Sequence, residues 1–100
     1  MIKQISHEEL YEKIQKGEKL SLIDVREDEE VAEGIIPGAK HIPLGQIEDR
    51  MNEIDKNEGH ILICRSGGRS GRACEFLNHH GFDVTNLVGG MIAWDAKYKK

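Results

Sequence analysis

The sequence contains no hydrophobic run long enough to act as a signal peptide or to cross a membrane. Charged and polar residues interrupt the segment from Met1 to Glu9, so we expect a cytoplasmic protein with no membrane partner. The chain also has no internal repeat, low-complexity tract or linker. Its 100 residues therefore predict one domain, residues 1–100, built around a hydrophobic core.

Cysteine is scarce, since the chain has only Cys64 and Cys74. Two cysteines in a reducing compartment are poor candidates for a structural disulfide, and the useful question is which of them reacts. The histidines show no metal-ligand spacing with the cysteines, so we expect no metal site and no cofactor. The five histidines are His7, His41, His60, His79 and His80.

The chain also lacks an excess of positive charge. It carries 14 Lys and Arg against 18 Asp and Glu, for a formal net charge of −4, which argues against a nucleic-acid partner. Yet Arg65, Arg69 and Arg72 fall within eight residues of one another beside Cys64. A local group of arginines on an acidic protein favours a small anionic ligand over a polyanion.

The stretch His60–Arg72 combines a thiol with the features of an anion site. Its apolar residues 61–63 predict a strand buried on both faces, and Cys64 follows at the carboxyl end, where open parallel sheets place their ligands. The pair Gly67-Gly68 then allows a tight turn that exposes backbone N–H groups, and Ser70 begins a segment with helical periodicity. This order predicts a loop of N–H donors around a sulfur atom.

Such a loop would activate Cys64, because the thiolate is the reacting species and a free thiol with a pKa of about 8.5 is little ionised at neutral pH. Hydrogen bonds to charged groups contribute about 1.5–3 kcal/mol each, so two or three N–H donors suffice to lower that pKa by about two units. The helix N-terminus and Arg65 or Arg69 act in the same direction. We expect Cys74 to pack in the core, because a helix running away from the loop would separate the two thiols.

Apolar periodicity predicts that strands and helices alternate along the chain. Right-handed crossovers then imply an α/β fold with a mainly parallel sheet and helices on both faces. The predicted elements are a short strand before Ser6, a helix from there to Gly17, a strand over Leu20–Val25, a short segment Lys40–Pro43, a helix over Leu44–Ile54, the strand before Cys64, a helix ending near Gly81, a strand over Asp83–Val88 and a helix over Met91–Trp94.

Four motifs occur in order along the sequence. They are Leu22–Glu27, Gly34–Leu44, Cys64–Ser70 and Gly89–Trp94. With these motifs, which span nearly the whole chain, the protein resembles the rhodanese-like domain family, specifically its small single-domain sulfurtransferases. The resemblance implies a five-stranded, mainly parallel sheet flanked by helices. One departure is Ile35, where family members often carry His, and we expect that change in a connecting turn to affect packing rather than catalysis.

The resemblance also implies a mechanism, in which the Cys64 thiolate attacks the outer sulfur of a small anionic donor such as thiosulfate and releases sulfite. A thiol or cyanide then accepts the sulfur from the Cys64 persulfide. Backbone N–H groups of the loop would hold the persulfide, while Arg65 and Arg69 would attract the donor. The predicted binding residues are Arg65, Ser66, Gly67, Gly68, Arg69 and Ser70, with Cys64 as the catalytic residue.

Charged residues elsewhere have less specific interpretations. Asp24 and Arg26 end a strand expected to neighbour that of Cys64, so they either support its loop through side-chain hydrogen bonds or form a plain surface ion pair. The acidic run from Glu27 to Glu33 is typical of a solvated helical face.

Two other function classes are open to a chain of this kind. A phosphatase or arsenate reductase of the related type also uses a cysteine in an anion-binding loop, but it commonly places Arg six positions after Cys, where this chain has Ser70. The shorter spacing to Arg69 suits a single sulfur atom better than a phosphate. A non-catalytic protein-binding module has no need of the intact Cys64 loop, whereas a carrier that delivers sulfur to a protein acceptor fits it.

Overall fold

Five parallel strands form one sheet in the computed structural model, which describes residues 2–99. The strands are β1 (Lys3–Ile5), β2 (Ser21–Asp24), β3 (Lys40–His41), β4 (Gly59–Ile63) and β5 (Asp83–Leu87). The helices are α1 (His7–Gln15), α2 (Asp28–Val31), α3 (Gly68–His79) and α4 (Gly90–Tyr98). The strand order is β1-β5-β4-β2-β3 and every pairing is parallel, which confirms the predicted α/β fold.

Alternating side chains of the central strands build a core on each face of the sheet. On one face Leu62 packs in the same cluster as Cys74 of α3. On the other face Ile63 packs with Leu10 of α1 and Met91 of α4. Because β4 is covered on both sides, its residues 61–63 are apolar without interruption, as the sequence predicted. Full burial of each such side chain stabilises the fold by about 1.5–3 kcal/mol.

Helix α1 begins where the sequence predicted, because Ser6 caps its first turn. The Ser6 hydroxyl oxygen accepts a hydrogen bond from the Glu9 backbone N–H at 3.1 Å. The exposed side of α1 is fixed to α4 by aromatic contacts. Tyr11 stacks on Tyr98 with ring centroids 4.2 Å apart, and its ring lies 6.1 Å from that of Trp94. These contacts hold the carboxy-terminal helix against the domain.

The continuous helix predicted over Leu44–Ile54 is wrong. The segment instead forms two short 3₁₀ turns, Leu44–Gln46 and Met51–Glu53, joined by other turns. Its Gly, Asp and Asn residues are weak helix formers, which removes the local preference for a longer helix. Ile47 and Ile54 are nevertheless buried in the same core cluster as the inner face of α3. The apolar spacing therefore predicted which side chains are buried but not the backbone conformation.

The helices are short, with twelve residues in α3, nine in α1 and α4, and four in α2. Only Asp28–Val31 of the acidic run is helical. Across residues 2–99, no helix combines the length and the apolar character that a membrane crossing requires.

Candidate active site

Cys64 lies directly after β4 at the carboxyl edge of the sheet and is fully buried. Its Sγ accepts a hydrogen bond from the Gly67 backbone N–H at 2.9 Å, and the Ser70 hydroxyl lies 3.3 Å from the same sulfur. The loop thus turns back on the thiol within a few residues. The Gly67 N–H is one of the backbone donors that the sequence predicted, whereas the Ser70 hydroxyl is a side-chain contact that it did not predict.

Helix α3 begins two residues earlier than the sequence predicted, at Gly68 rather than Ser70. The turn is completed by Gly67 alone, whose φ of 102° lies in the left-handed region that glycine adopts without strain. Ser70 therefore belongs to the first helical turn, where backbone N–H groups have no partner within the helix. Its N–H contributes to lowering the pKa of the Cys64 thiol. The positive end of α3 faces that sulfur as a result.

Two opposing effects set the ionisation of Cys64. Burial raises the pKa of the thiol, whereas hydrogen bonds from the Ser70 side chain and from the backbone N–H groups of Ser70, Gly67 and Ser66 lower it. The hydrogen bonds prevail, and the pKa of Cys64 lies below its ordinary value. A buried thiol with a lowered pKa has the properties of a nucleophile rather than of an inert core residue.

Ser70→Ala is expected to slow the alkylation of Cys64 by iodoacetamide about tenfold at neutral pH. The Ser70 side chain is the largest of the hydrogen-bonding contributions that lower the pKa of Cys64, and its loss removes about 1.5 kcal/mol of stabilisation from the thiolate. The pH profile of alkylation should move to higher pH. A Ser66→Ala variant, which keeps its backbone donor, is the control, and equal rates for the two variants would contradict this role.

The amino-terminal end of α4 supports the loop from behind. The Met91 N–H donates to the Cys64 carbonyl oxygen at 2.8 Å, and the Ile92 N–H donates to the Arg65 carbonyl oxygen at 2.9 Å. Gly90 makes this approach possible, because a Cβ at that position would clash with both carbonyl oxygens. The motif Gly89–Trp94, which the sequence predicted as a turn and a helix, is therefore part of the site.

The arginines of the loop are placed differently from one another. Arg69 forms a bidentate ion pair with Glu30, with Nη1 2.6 Å from Oε1 and Nη2 2.7 Å from Oε2. Arg65 is exposed and forms part of the wall of a cavity of about 250 Å³, next to Ile92. Arg72 is exposed elsewhere on α3, beside Leu44. Of the three, Arg65 is the one that lines this cavity, whose wall also carries Glu29, Glu30 and Glu33 and does not include Cys64.

Glu30→Gln is expected to lower the free energy of unfolding by about 1 kcal/mol at pH 7, the upper range for a partly exposed ion pair. The hydrogen bond from Arg69 lowers the pKa of Glu30 from 4.5 to about 2, against the effect of burial. A depressed carboxyl pKa stabilises the fold above the unfolded value, and that contribution disappears as the pH falls from about 4.5 to about 2.

Urea unfolding from pH 7 down to the acid limit of the folded protein measures this difference. The difference between wild type and Glu30→Gln should narrow steadily below about pH 4.5. Glu29→Gln is the matched control, since Glu29 is the exposed neighbour and forms no ion pair within residues 2–99. A difference that stays constant with pH would show that Glu30 does not act through its charge.

Asp24 and Arg26 form a buried ion pair rather than a surface pair. Arg26 Nη2 lies 2.9 Å from Asp24 Oδ2, and the Arg26 and Asp24 side chains are 7% and 0% exposed. The same nitrogen donates to the Gly34 carbonyl oxygen at 2.7 Å, and a ring nitrogen of His41 lies 2.6 Å from the Arg26 carbonyl oxygen. These hydrogen bonds hold the turn at Gly34, which borders the cavity, and not the cysteine loop itself.

Cys74 is also a free, fully buried cysteine, in the core between α3 and the sheet. Burial, with a further contribution from the charge of Cys64, raises the pKa of its thiol to about 12. Cys74 is therefore a neutral thiol at physiological pH, which agrees with its predicted packing role. Residues 2–99 contain no group of three or more His, Cys, Asp or Glu side chains arranged to hold a metal ion.

Sequence reasoning missed two residues of the site. Asn86 is a buried polar residue in β5 whose side chain contacts both Gly67 and Ser70. The available signal was an amide within a strand of the core, since a buried polar group requires partners. Glu30 was assigned to a solvated face, and no local signal in the acidic run distinguishes it from its neighbours.

The fold and the site together define a class of protein: a parallel α/β domain with an activated cysteine in a loop of N–H donors at the carboxyl edge. The chain belongs to the rhodanese-like domain family, whose model matches residues 6–97. The provisionally named sulfurtransferase YtwF of Bacillus subtilis (strain 168) is 52% identical over 98 residues, which cover 98% of this chain and 95% of YtwF.

Two further proteins support the assignment to this family. A sulfurtransferase of Allochromatium vinosum is 41% identical over 95 residues, which cover 94% of this chain and 89% of that protein. The crystal structure of a rhodanese-like domain protein from Staphylococcus aureus superimposes with a TM-score of 0.90 at 42% identity, and the match covers 93% of this chain and 91% of that one. The parallel sheet described above is therefore shared with an experimental structure of the family.

Proposed function

We propose that this protein is a sulfurtransferase that moves sulfane sulfur from thiosulfate or a low-molecular-weight persulfide to a thiol or cyanide through a Cys64 persulfide. The observation that carries the proposal is the Cys64 thiol, buried at the edge of a parallel sheet and hydrogen-bonded by Gly67 and Ser70. The two relatives described as sulfurtransferases support the same reaction class.

In the first half of the reaction, the Cys64 thiolate attacks the outer sulfur of thiosulfate. A bond forms between Sγ and that sulfur, the sulfur–sulfur bond of the donor breaks, and sulfite leaves with the electron pair. The negative charge of the thiolate passes to the outer sulfur of the persulfide. In the second half, an acceptor thiolate or cyanide attacks this outer sulfur and regenerates the Cys64 thiolate, so that no proton, oxidant or cofactor is needed for either transfer.

The residues of the loop have different roles in binding. Backbone N–H groups between Arg65 and Ser70 hold the charged outer sulfur, as they hold the thiolate. Arg65 follows Cys64 directly and is exposed, so its charge attracts the anionic donor. The Arg69 guanidinium is occupied by Glu30, so Arg69 contributes its field and fixes α2 beside the loop. Asp24 and Arg26 shape the cavity wall at Gly34.

The pairing of Arg69 also argues against phosphate chemistry. A cysteine phosphatase needs a guanidinium that clasps the oxygens of a tetrahedral anion. Here the position six residues after Cys64 is Ser70, and the neighbouring Arg69 makes both of its terminal contacts with Glu30. The geometry around the sulfur suits one additional sulfur atom better than a phosphoryl group.

Intact-mass measurement of the protein after incubation with thiosulfate tests this function. We expect the mass to increase by one sulfur atom, the increase to map to the peptide that contains Cys64, and cyanide to remove it as thiocyanate. The absence of an adduct with thiosulfate and with a small persulfide donor would overturn the proposal. Hydrolysis of an aryl phosphate would favour a phosphatase instead, and transfer only to a protein acceptor would identify a sulfur carrier.

A further inference from the structure

Asn86 joins the two segments that hold the Cys64 sulfur. Its Nδ2 donates to the Gly67 carbonyl oxygen at 3.2 Å, and its Oδ1 accepts a hydrogen bond from the Ser70 hydroxyl. Gly67 and Ser70 are the residues that donate to Sγ at 2.9 Å and 3.3 Å. Asn86 is only 9% exposed and does not line the cavity that includes Arg65. Within residues 2–99, its side-chain hydrogen bonds connect it to the sulfur through these two neighbours.

The Ser70 hydroxyl has two acceptors within reach but a single proton. It can donate to Cys64 Sγ or to Asn86 Oδ1, and not to both at once with full strength. The orientation of the Asn86 amide is fixed by its other contact, because a flipped amide would place Oδ1 against the carbonyl oxygen of Gly67. The proton of Ser70 is thus shared between the sulfur and the amide oxygen.

The better acceptor depends on the charge of Sγ. When Cys64 of the free protein is ionised, Sγ carries the negative charge, and a hydrogen bond to an ion is about twice as strong as one between neutral groups. In the persulfide the charge lies on the outer sulfur, and Sγ becomes a neutral sulfur bonded to carbon and sulfur. Neutral divalent sulfur is a weak acceptor, so the amide oxygen of Asn86 then attracts the proton more strongly.

We propose that Asn86 is a positioning residue that accepts the Ser70 proton when Cys64 carries sulfur, and that it thereby favours the persulfide over the free thiolate. The inference rests on the proposed function, because it requires a persulfide. No bond between heavy atoms is made or broken, since the proton moves only by rotation about the Cβ–Oγ bond of Ser70. In the thiolate form the Ser70 hydroxyl donates to Sγ, and the Asn86 oxygen loses its donor. The loss of this hydrogen bond raises the free energy of the thiolate form relative to that of the persulfide.

The charged groups around the sulfur stay the same when Asn86 is replaced. From α3, Arg69 and Cys74 interact electrostatically with the thiolate. The end of β2 carries Asp24 and Arg26, whose charges offset each other in their ion pair. Arg65 in the loop is exposed to solvent. β5 presents only the uncharged amide of Asn86 at this point, so a change in the titration of the thiol reports on the Ser70 proton.

Asn86→Leu, which keeps the approximate size of the side chain but removes the acceptor, tests the inference in a Cys74→Ala background. We expect iodoacetamide to alkylate Cys64 about threefold to tenfold faster below the thiol pKa, because Ser70 donates to the thiolate without competition. We expect the ratio of loaded to free protein, at fixed thiosulfate and sulfite concentrations, to fall by a similar factor. General damage to the loop would reduce both quantities, so opposite changes identify the role of Asn86.

Two further variants complete the experiment. In Ser70→Ala the additional Asn86→Leu change should leave the alkylation rate unaltered, since the shared proton is gone. Asn86→Ala, measured beside the leucine variant, gives the same signs if leucine prevents folding. The inference is overturned if alkylation slows in both replacements, or if the effect persists without Ser70. A wild-type protein that takes up no sulfur contradicts the proposed function, whereas equal loading of wild type and Asn86→Leu contradicts this inference alone.

Discussion

Replacing Cys64 with serine is expected to abolish sulfur uptake from thiosulfate. A serine hydroxyl is far less acidic than a thiol, so the same hydrogen bonds that lower the pKa of Cys64 leave the hydroxyl of the variant protonated and unreactive. The fold should be retained, because the substitution only exchanges the sulfur atom for an oxygen atom. That oxygen can accept hydrogen bonds from the same donors. Intact-mass measurement with and without thiosulfate gives the result directly.

Cys74→Ala is the matched control for this experiment. Cys74 is equally buried, but burial raises the pKa of its thiol to about 12, so it is not ionised at neutral pH. The variant should take up one sulfur atom as the wild type does, with a loss of stability on the order of 1 kcal/mol from the small cavity. Loading of Cys64→Ser, or a loss of loading in Cys74→Ala, would show that the wrong thiol has been assigned to the reaction.

The cysteine loop was the most predictable part of the molecule, because its chemistry depends on order along the chain. A buried strand, a thiol, a glycine and a helix start follow one another between His60 and Ser70, and each element constrains the next. Glycine placed the turn, and the first turn of α3 supplied unpaired N–H donors. The error of two residues in the start of α3 arose because Gly67 alone completes the turn.

Contacts between distant parts of the chain were not predictable in the same way. The partner of Arg69 is Glu30, which lies 39 residues away. Nothing in the sequence distinguishes Glu30 from the other acidic residues of its run. The support of the Cys64 carbonyl by α4 depends on a short approach at Gly90 that only the assembled sheet produces. Periodicity identifies buried residues, but it carries no information about which charged groups meet at a sheet edge.

These distant contacts explain why the donors remain fixed around a buried sulfur. Asn86 of β5 binds Gly67 and Ser70, whereas α4 binds the carbonyl groups of Cys64 and Arg65. The loop is therefore held by two different elements, by β5 at Gly67 and Ser70 and by α4 at the carbonyl groups of Cys64 and Arg65. Preorganised donors of this kind stabilise an anion without first having to turn away from water.

Gly90→Ala is expected to lower the free energy of unfolding by about 3–4 kcal/mol and to slow sulfur loading of the remaining folded protein. Gly90 has a φ of 52°, where an L-residue costs about 1–2 kcal/mol. The new Cβ would also lie 2.6 Å from the Arg65 carbonyl oxygen and closer still to that of Cys64. Relief of these clashes must lengthen the hydrogen bonds from Met91 and Ile92, each worth about 1 kcal/mol.

Gly38→Ala separates the effect of the positive φ from the effect of the clash with the carbonyl oxygens. Gly38 also has a positive φ, of 88°, but within residues 2–99 no atom beyond its chain neighbours lies within 4 Å of the position that a Cβ would take. The variant should lose only the conformational contribution of about 1–2 kcal/mol and keep the alkylation rate of Cys64. Thermal unfolding distinguishes the two variants, since about 1 kcal/mol corresponds to about 4–8 °C in a domain of this size. Equal losses in Gly90→Ala and Gly38→Ala would mean that the end of α4 does not hold the cysteine loop in place.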